Sequence, residues 1–393
     1  MKIWYYATYP HTGGTWTQYK VLRPIFEALQ IDLRWVYLGE MPKDKIFNKV
    51  KEPGINILMK NNESVELTKC FFKHLDSVSA EGVIFSVVSD SLISNSIRFL
   101  PEKYKRILIV LTESYGSYKI FKELYPYSNF NFFMSSRIQE ALNYRVGMNK
   151  SNQDILTLPV IHNLKVLTRP IKKDNLKLIY YGRVRNSDKG VYILPQILKH
   201  LDKSKYQLTI VGDGPDLNAL KKKLRPYSDN VEFYGEVPRE VGFNILSNHD
   251  LVLMPSYTES YGFSLVEAMS LGCIPIATDI AGSFDRFVID GHNGYLFKIG
   301  SAKVAAKKIQ LFFDNPKKVS VFSRRSLDHI NKYFSLKNVV NKINSALSEI
   351  EKNKCKIESL DLNNWSMHEC FNPGIRSYIP NFIKRGFYRI FYK

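Results

Sequence analysis

Short runs of β-branched, aromatic and aliphatic residues recur along the chain at spacings too short for a membrane span, and between them apolar positions fall three and four apart. Such runs, four to eight residues long and flanked by polar or glycine-bearing segments, predict buried strands. The stretches between them predict amphipathic helices. The first series of strand candidates is KIWYYAT, LRWVYL, GVIFSVV, RILIVLT, FNFFMSS and DILTLPV. The second is KLIYYGR, YQLTIVG, VEFYG, DLVLMP and CIPIAT, with NGYLF following. Strand and helix alternating in this way imply parallel sheets covered by helices, and the alternation occurs twice. Between the two series lies a polar, basic stretch with one proline and no clear period, NLKVLTRPIKKDN at residues 163–175, which reads as a linker. The expected organisation is an N-terminal α/β domain at 1–165, a C-terminal α/β domain at 166–365, and a basic, aromatic helix at 366–393.

Open α/β domains bind ligands beyond the carboxyl ends of their strands. The residues there are therefore candidates: His11, Gly13 and Gly14 after the first strand, Asp90 after GVIFSVV, Glu113 after RILIVLT, Arg183 after KLIYYG, Gly212 and Gly214 after YQLTIV, and Glu259 after DLVLMP. The segment PSYTESYGFSLVEAMSLGCIPIAT, residues 255–278, is the most informative. It sets Glu259 and Glu267 around a turn at Gly262 that opens a helix, whose first N–H groups lack internal partners and whose dipole favours an anion. Arg183 and Lys189, in the turn GRVRNSDKG, are placed to complete a cradle for a diphosphate.

Length supports the two-domain reading: 393 residues bury substantial cores. A hydrophobic content of 45%, with no low-complexity run, excludes a disordered chain. The apolar run at the N-terminus is too short for a signal peptide, and four scattered cysteines without metal spacing suit a reducing compartment, so a cytoplasmic location is expected. The 56 Lys and Arg against 37 Asp and Glu leave +19, which implies an acidic partner without choosing among nucleic acid, a phosphorylated substrate and anionic lipid.

Six fragments in order now resemble one family: Gly182, Arg183, Lys189 and Gly190; IVGDGP at 210–215; VEFYGEV at 231–237; ESYGFSLVEA at 259–268; GCIPIAT at 272–278; and NGYLF at 293–297. Over residues 176–300 the chain resembles the retaining, nucleotide-sugar-dependent glycosyltransferases of family 4, the glycosyl transferases group 1. The resemblance implies the GT-B fold, two Rossmann-like domains facing each other across a cleft. It also implies site roles. Arg183 and Lys189 would hold the donor diphosphate. Glu259, with backbone N–H groups near Tyr261, Gly262, Phe263 and Ser264, would reach the transferred sugar. Glu267 would accept from the ribose hydroxyls, Gly235 and Val237 would meet the base, and Gly13 and Gly14 would approach the phosphates from the other domain. A structural alternative stands beside the Glu267 role, since Ser264 and Glu267 also fit a capping box, S-x-x-E.

Where the family commonly has a histidine after a middle strand, this chain has VVSDSLISN, so Asp90 or Ser91 takes that place, and Glu113 is an acceptor-side candidate. No His/Asp cluster or DxD signature calls for a metal, so no metal or cofactor is expected. After Glu369 no acidic residue occurs while Arg376, Lys384, Arg385, Arg389 and Lys393 interleave with aromatics; this tail reads as packing its apolar face on the N-terminal domain with its charges toward anionic lipid. The expected activity is transfer of a sugar, most readily from a UDP-hexose, to a glycan or lipid-linked saccharide in bacterial surface polysaccharide synthesis, at the inner face of the membrane. A sugar-nucleotide epimerase of the same fold, a basic nucleic-acid-binding protein without a motif to support it, and a catalytically silent partner subunit are the alternatives.

Overall fold

The computed structural model describes residues 1–6, 13–39, 51–58, 64–86, 91–111, 115–146, 152–156, 158–160, 175–334, 336–359 and 361. The first domain contains strands β1 (Lys2–Tyr6), β2 (Asp32–Gly39), β3 (Gly54–Leu58), β4 (Gly82–Ser86), β5 (Lys105–Val110), β6 (Phe130–Phe133) and β7 (Gln153–Ile155). Helices α1 (Gly13–Ala28), α2 (Ser64–Ser77), α3 (Ser91–Phe99), α4 (Tyr115–Leu124) and α5 (Ser136–Val146) connect them. All neighbours are parallel, in the order β3-β2-β1-β4-β5-β6-β7. A strand covered on both faces by helices carries a continuous apolar run, and β4 is buried at every position.

The second domain repeats the plan with β8 (Leu176–Tyr181), β9 (Tyr206–Val211), β10 (Val231–Gly235), β11 (Leu251–Met254), β12 (Ile274–Thr278) and β13 (Tyr295–Phe297), ordered β10-β9-β8-β11-β12-β13. Its helices are α6 (Asn186–Lys189), α7 (Ile193–Leu198), α8 (Leu217–Leu224), α9 (Arg239–Ser247), α10 (Phe263–Ser270), α11 (Ala302–Asp314) and α12 (Lys317–Tyr333). Side chains alternate between the two faces of this sheet. Ile179, Val211, Val252 and Met254 join one apolar cluster, whereas Leu178, Tyr180, Ile210, Leu251 and Leu253 join another with α7, α8 and α11.

The chain then crosses back. Helix α13 (Leu336–Ile350) buries Val339, Ile343, Ala346 and Ile350, a stripe at helical spacing, in the cluster that fills the first domain. Lys342 pairs with Asp154 at 3.0 Å and Lys105 with Glu351 at 2.7 Å. Beyond the helix, Asn129 donates to Asn353 O at 2.8 Å, and Arg98 pairs with Glu358 at 2.9 Å. The sequence reading kept residues 336–365 with the second domain; the contacts of 336–359 are with the first, because the apolar stripe of α13 is buried there. The expected helix at 366–393 lies outside the described residues.

Candidate active site

In an open parallel sheet the crevice forms where the chain reverses its direction of winding. In the second domain that point lies between β8 and β11, adjacent and parallel at the centre of the sheet. In the first it lies between β1 and β4. Gly13 and Gly14 are the first two residues of α1, the helix that follows β1. That edge is ordered by a buried polar knot: the Tyr5 hydroxyl stands 2.7 Å from Gln18 Oε1, 2.9 Å from Ser86 Oγ and 3.0 Å from Thr15 O. Burial pushes the Tyr5 phenol well above its ordinary range, so it stays a neutral donor. His11, Asp90 and Glu113 lie outside the described residues, and the side chain of Ser91 is likewise not described.

The site of the second domain is built by three close approaches. Gly182 follows β8, and a Cβ there would stand 3.3 Å from Ser264 Oγ, so the turn carrying Arg183 lies against the first turn of α10. Gly190 caps α6 in the left-handed region at φ 61°, where a Cβ would fall 2.0 Å from Pro255 O; only glycine fits. Asp188 O accepts from Tyr257 N at 2.7 Å and from Thr258 N at 3.2 Å, tying α6 to the loop after β11. Burial alone would raise the Asp188 carboxyl. The hydrogen bonds from Arg185 at 2.6 and 2.7 Å and the nearby Lys189 charge instead hold it below the usual carboxylate range.

These approaches bring Lys189 and Glu259 together: Nζ stands 2.6 Å from Oε2, both side chains partly buried. Arg183, in the turn after β8, is exposed and forms no ion pair among the described residues. Gly262 begins α10 with φ 85°, leaving the N–H groups of Phe263 and Ser264 without acceptors inside the helix. A cationic pair, a carboxylate and a helix N-terminus thus converge at the switch point, where they can hold a diphosphate with a sugar hydroxyl beside it.

One sequence alternative falls, and one residue gains a structural role. Ser264 does not cap α10; the N-cap is Gly262, no side chain bonds the cap, and the Glu267 carboxylate instead accepts from Arg239 Nε at 2.9 Å. The capping-box alternative is therefore excluded. The Tyr261 side chain, inside the motif block, is 3% exposed and anchors the domains: its hydroxyl donates to Leu158 O and accepts from Leu158 N, both at 2.8 Å. Arg286 joins the seam by donating to Met134 O at 2.8 Å. Arg239 went unnoticed in the sequence; its signal is its place two residues after Val237, at the start of the helix following β10.

Comparison with known proteins accords with this geometry. Residues 168–328 match the family model described as glycosyl transferases group 1. This domain is a group 1 glycosyltransferase domain. An uncharacterized glycosyltransferase of Methanocaldococcus jannaschii is 31% identical over 176 residues, 43% of this chain and 44% of that protein. The putative teichuronic acid biosynthesis glycosyltransferase TuaC of Bacillus subtilis is 27% identical over 203 residues, half of each chain. The chain thus spans about half the length of these relatives. The UDP complex of Anabaena HepE superposes with a TM-score of 0.73 at 16% identity, covering 88% of this chain and 100% of that one. Staphylococcus aureus TarM in complex with UDP gives 0.73 at 13%, covering 89% and 99%. The fold of the glycosyltransferase domain and its partner is GT-B, as the resemblance implies. No helix among the described residues is long and apolar enough to cross a membrane, and no group of three or more metal-ligating side chains occurs among them.

Proposed function

We propose that the chain is a retaining, metal-independent glycosyltransferase that moves a hexose from a UDP donor to a growing glycan in surface polysaccharide synthesis. The observation that carries the reading is the Lys189–Glu259 pair beside Arg183 and the N-terminus of α10, at the switch point of the second sheet. The group 1 match supports transfer, HepE and TarM support a UDP donor, and TuaC supports a polysaccharide product.

Breaking the bond between the sugar C1 and the diphosphate oxygen builds charge on that oxygen. Lys189 and Arg183 lie where they stabilise it, a contribution of about 2.7–4 kcal/mol per donor group. As the diphosphate claims Lys189, Glu259 is released to hydrogen-bond the sugar. The acceptor oxygen attaches to C1 from the face the phosphate leaves, and its proton passes to the departing phosphate, so configuration is kept. Where the acceptor is lipid-linked, the reaction takes place at the inner membrane face.

A thermal-shift panel of UDP, GDP, ADP and their sugars, run in EDTA, tests the reading. A ligand at 100 times its dissociation constant stabilises by about 2.7 kcal/mol. The expected result is selective stabilisation by UDP and its sugars, and in Lys189→Ala a turnover about 100-fold or more lower. No shift with any diphosphate, with EDTA or without it, refutes the donor site; a shift that EDTA abolishes refutes metal independence.

A further inference from the structure

The diphosphate and sugar groups leave one charged cluster in the same domain without a role. Glu267 is 6% exposed, and the side chains facing it come from three elements: Arg239 at the start of α9, Lys20 from α1 of the other domain, and Tyr181 at the end of β8. Arg239 Nε occupies Glu267 Oε1 at 2.9 Å, and its guanidinium carbon lies 4.5 Å from the Phe243 ring centroid, which fixes its plane. Among the described residues, Glu267 Oε2 accepts no hydrogen bond and the two terminal amino groups of Arg239 donate none, although the arginine side chain is 27% exposed. A buried carboxylate satisfied on one oxygen and open on the other, beside a fixed and half-employed guanidinium, is an arrangement with polar capacity left for a ligand.

We infer that Arg239 is a positioning residue of the donor's nucleoside subsite, holding Glu267 ionised and oriented so that its second oxygen receives the ribose hydroxyls. This rests on the proposed function, which places the ribose at Glu267. The physical need is specific. A carboxylate accepts stronger hydrogen bonds when charged, but burial favours its neutral form, and burial does push the Glu267 carboxyl above its ordinary range. Arg239 opposes that, and Lys20 adds a second, smaller opposing charge from across the cleft. The Tyr181 phenol, itself pushed up by burial, stays neutral beside it.

The test is the pH dependence of UDP-glucose binding to the full chain, measured by calorimetry over about pH 5.5–8.5. A neighbouring opposite charge displaces a carboxylate by about 1–3 pH units. In Arg239→Gln the inflection below which affinity falls should therefore move up by about one unit or more. Affinity in Arg239→Gln should fall below that of wild type as pH is lowered and recover as pH rises, and Arg239→Lys should restore most of it. A structural role alone lowers stability and leaves the inflection in place. Lys20→Gln, on a separate element, should move the inflection the same way by less, and serves if Arg239→Gln does not fold. Wild type that binds UDP-glucose while these variants keep its inflection overturns the inference alone. Wild type that binds no nucleotide sugar overturns the donor reading and this inference with it.

Discussion

Tyr261→Phe removes a single oxygen and separates two roles that the motif block merges. The ring stays, packed 4.5 Å from Phe263 and 5.7 Å from Phe287, centroid to centroid. What is lost is the hydroxyl's pair of 2.8 Å hydrogen bonds to the main chain of Leu158, in a buried setting. Leu158 keeps both polar groups with nothing to receive them, at about 1–3 kcal/mol each, so about 2–6 kcal/mol together. Unfolding entropy of about 2.1 cal/mol/K per residue makes each kcal/mol worth about 1 °C for a chain of this length, so the melting temperature should fall by several degrees. Hydrogen exchange at the Leu158 amide should accelerate in step. UDP affinity should hold, since the groups placed to grip the donor reach it from other positions. Scanning fluorimetry with and without UDP, plus exchange mass spectrometry, reads all three. An unchanged melting temperature and an unchanged Leu158 amide would refute the anchor. Lost UDP binding at an unchanged melting temperature would give the Tyr261 hydroxyl a role at the donor instead.

Gly190→Ala places a methyl 2.0 Å from Pro255 O at φ 61°, so the α6 turn must shift and take Lys189 from Glu259; turnover should fall sharply, with a clear loss in melting temperature. Gly235→Ala is its control. At φ 70° with nothing within 4 Å of its Cβ it should cost only the left-handed conformation, about 1–2 kcal/mol, and equal losses in both variants would refute the steric argument. Glu267 gives a pH prediction for the ligand-free protein. Its folded value is raised above the ordinary 4.5, so the folded state binds the extra proton; its contribution is fully present below about 4.5 and is lost as pH rises through the folded value. Glu267→Gln should therefore gain on wild type in melting temperature as pH rises from about 4.5, and parallel curves for the two proteins would show that the carboxyl is not perturbed.

Much of the fold is legible because parallel strands buried on both faces announce themselves as apolar runs. Twelve of the strands coincide with runs read from the sequence; the exception is β3, GINIL, an edge strand without one fully buried position. Its apolar signal is diluted because only one side of it is paired and its faces are half covered. The domain boundary was hidden for a different reason. Helix α13 has an ordinary amphipathic stripe, and a stripe states that a helix is buried without stating against what. In the candidate site, Lys189, Glu259 and Gly262 stood out in the sequence because a turn or helix start fixes their geometry within one segment. Arg239 was not, because its meaning arises only when β10 and α10 bring it to Glu267, 28 positions along the chain.

The overall charge of +19 says little about the donor; the local pairing decides. Around the candidate site Lys189 pairs with Glu259 and Arg239 with Glu267, while Lys20 lies in the field of Glu52, Glu240 and Glu267. Arg185 and Asp188 neutralise one another, and Asp216 is engaged by the Asn186 amide and the Tyr192 hydroxyl. Without ligand, each carboxylate already holds a cation, so neither is left as a bare negative charge that would repel the incoming donor. The pairing also orders events under the proposed function: the diphosphate must first draw Lys189 away, and only then does Glu259 have an oxygen free for the sugar. Under that proposal the ion pair between them is the resting state of a site that turns its carboxylate toward the sugar only once the phosphate is in place.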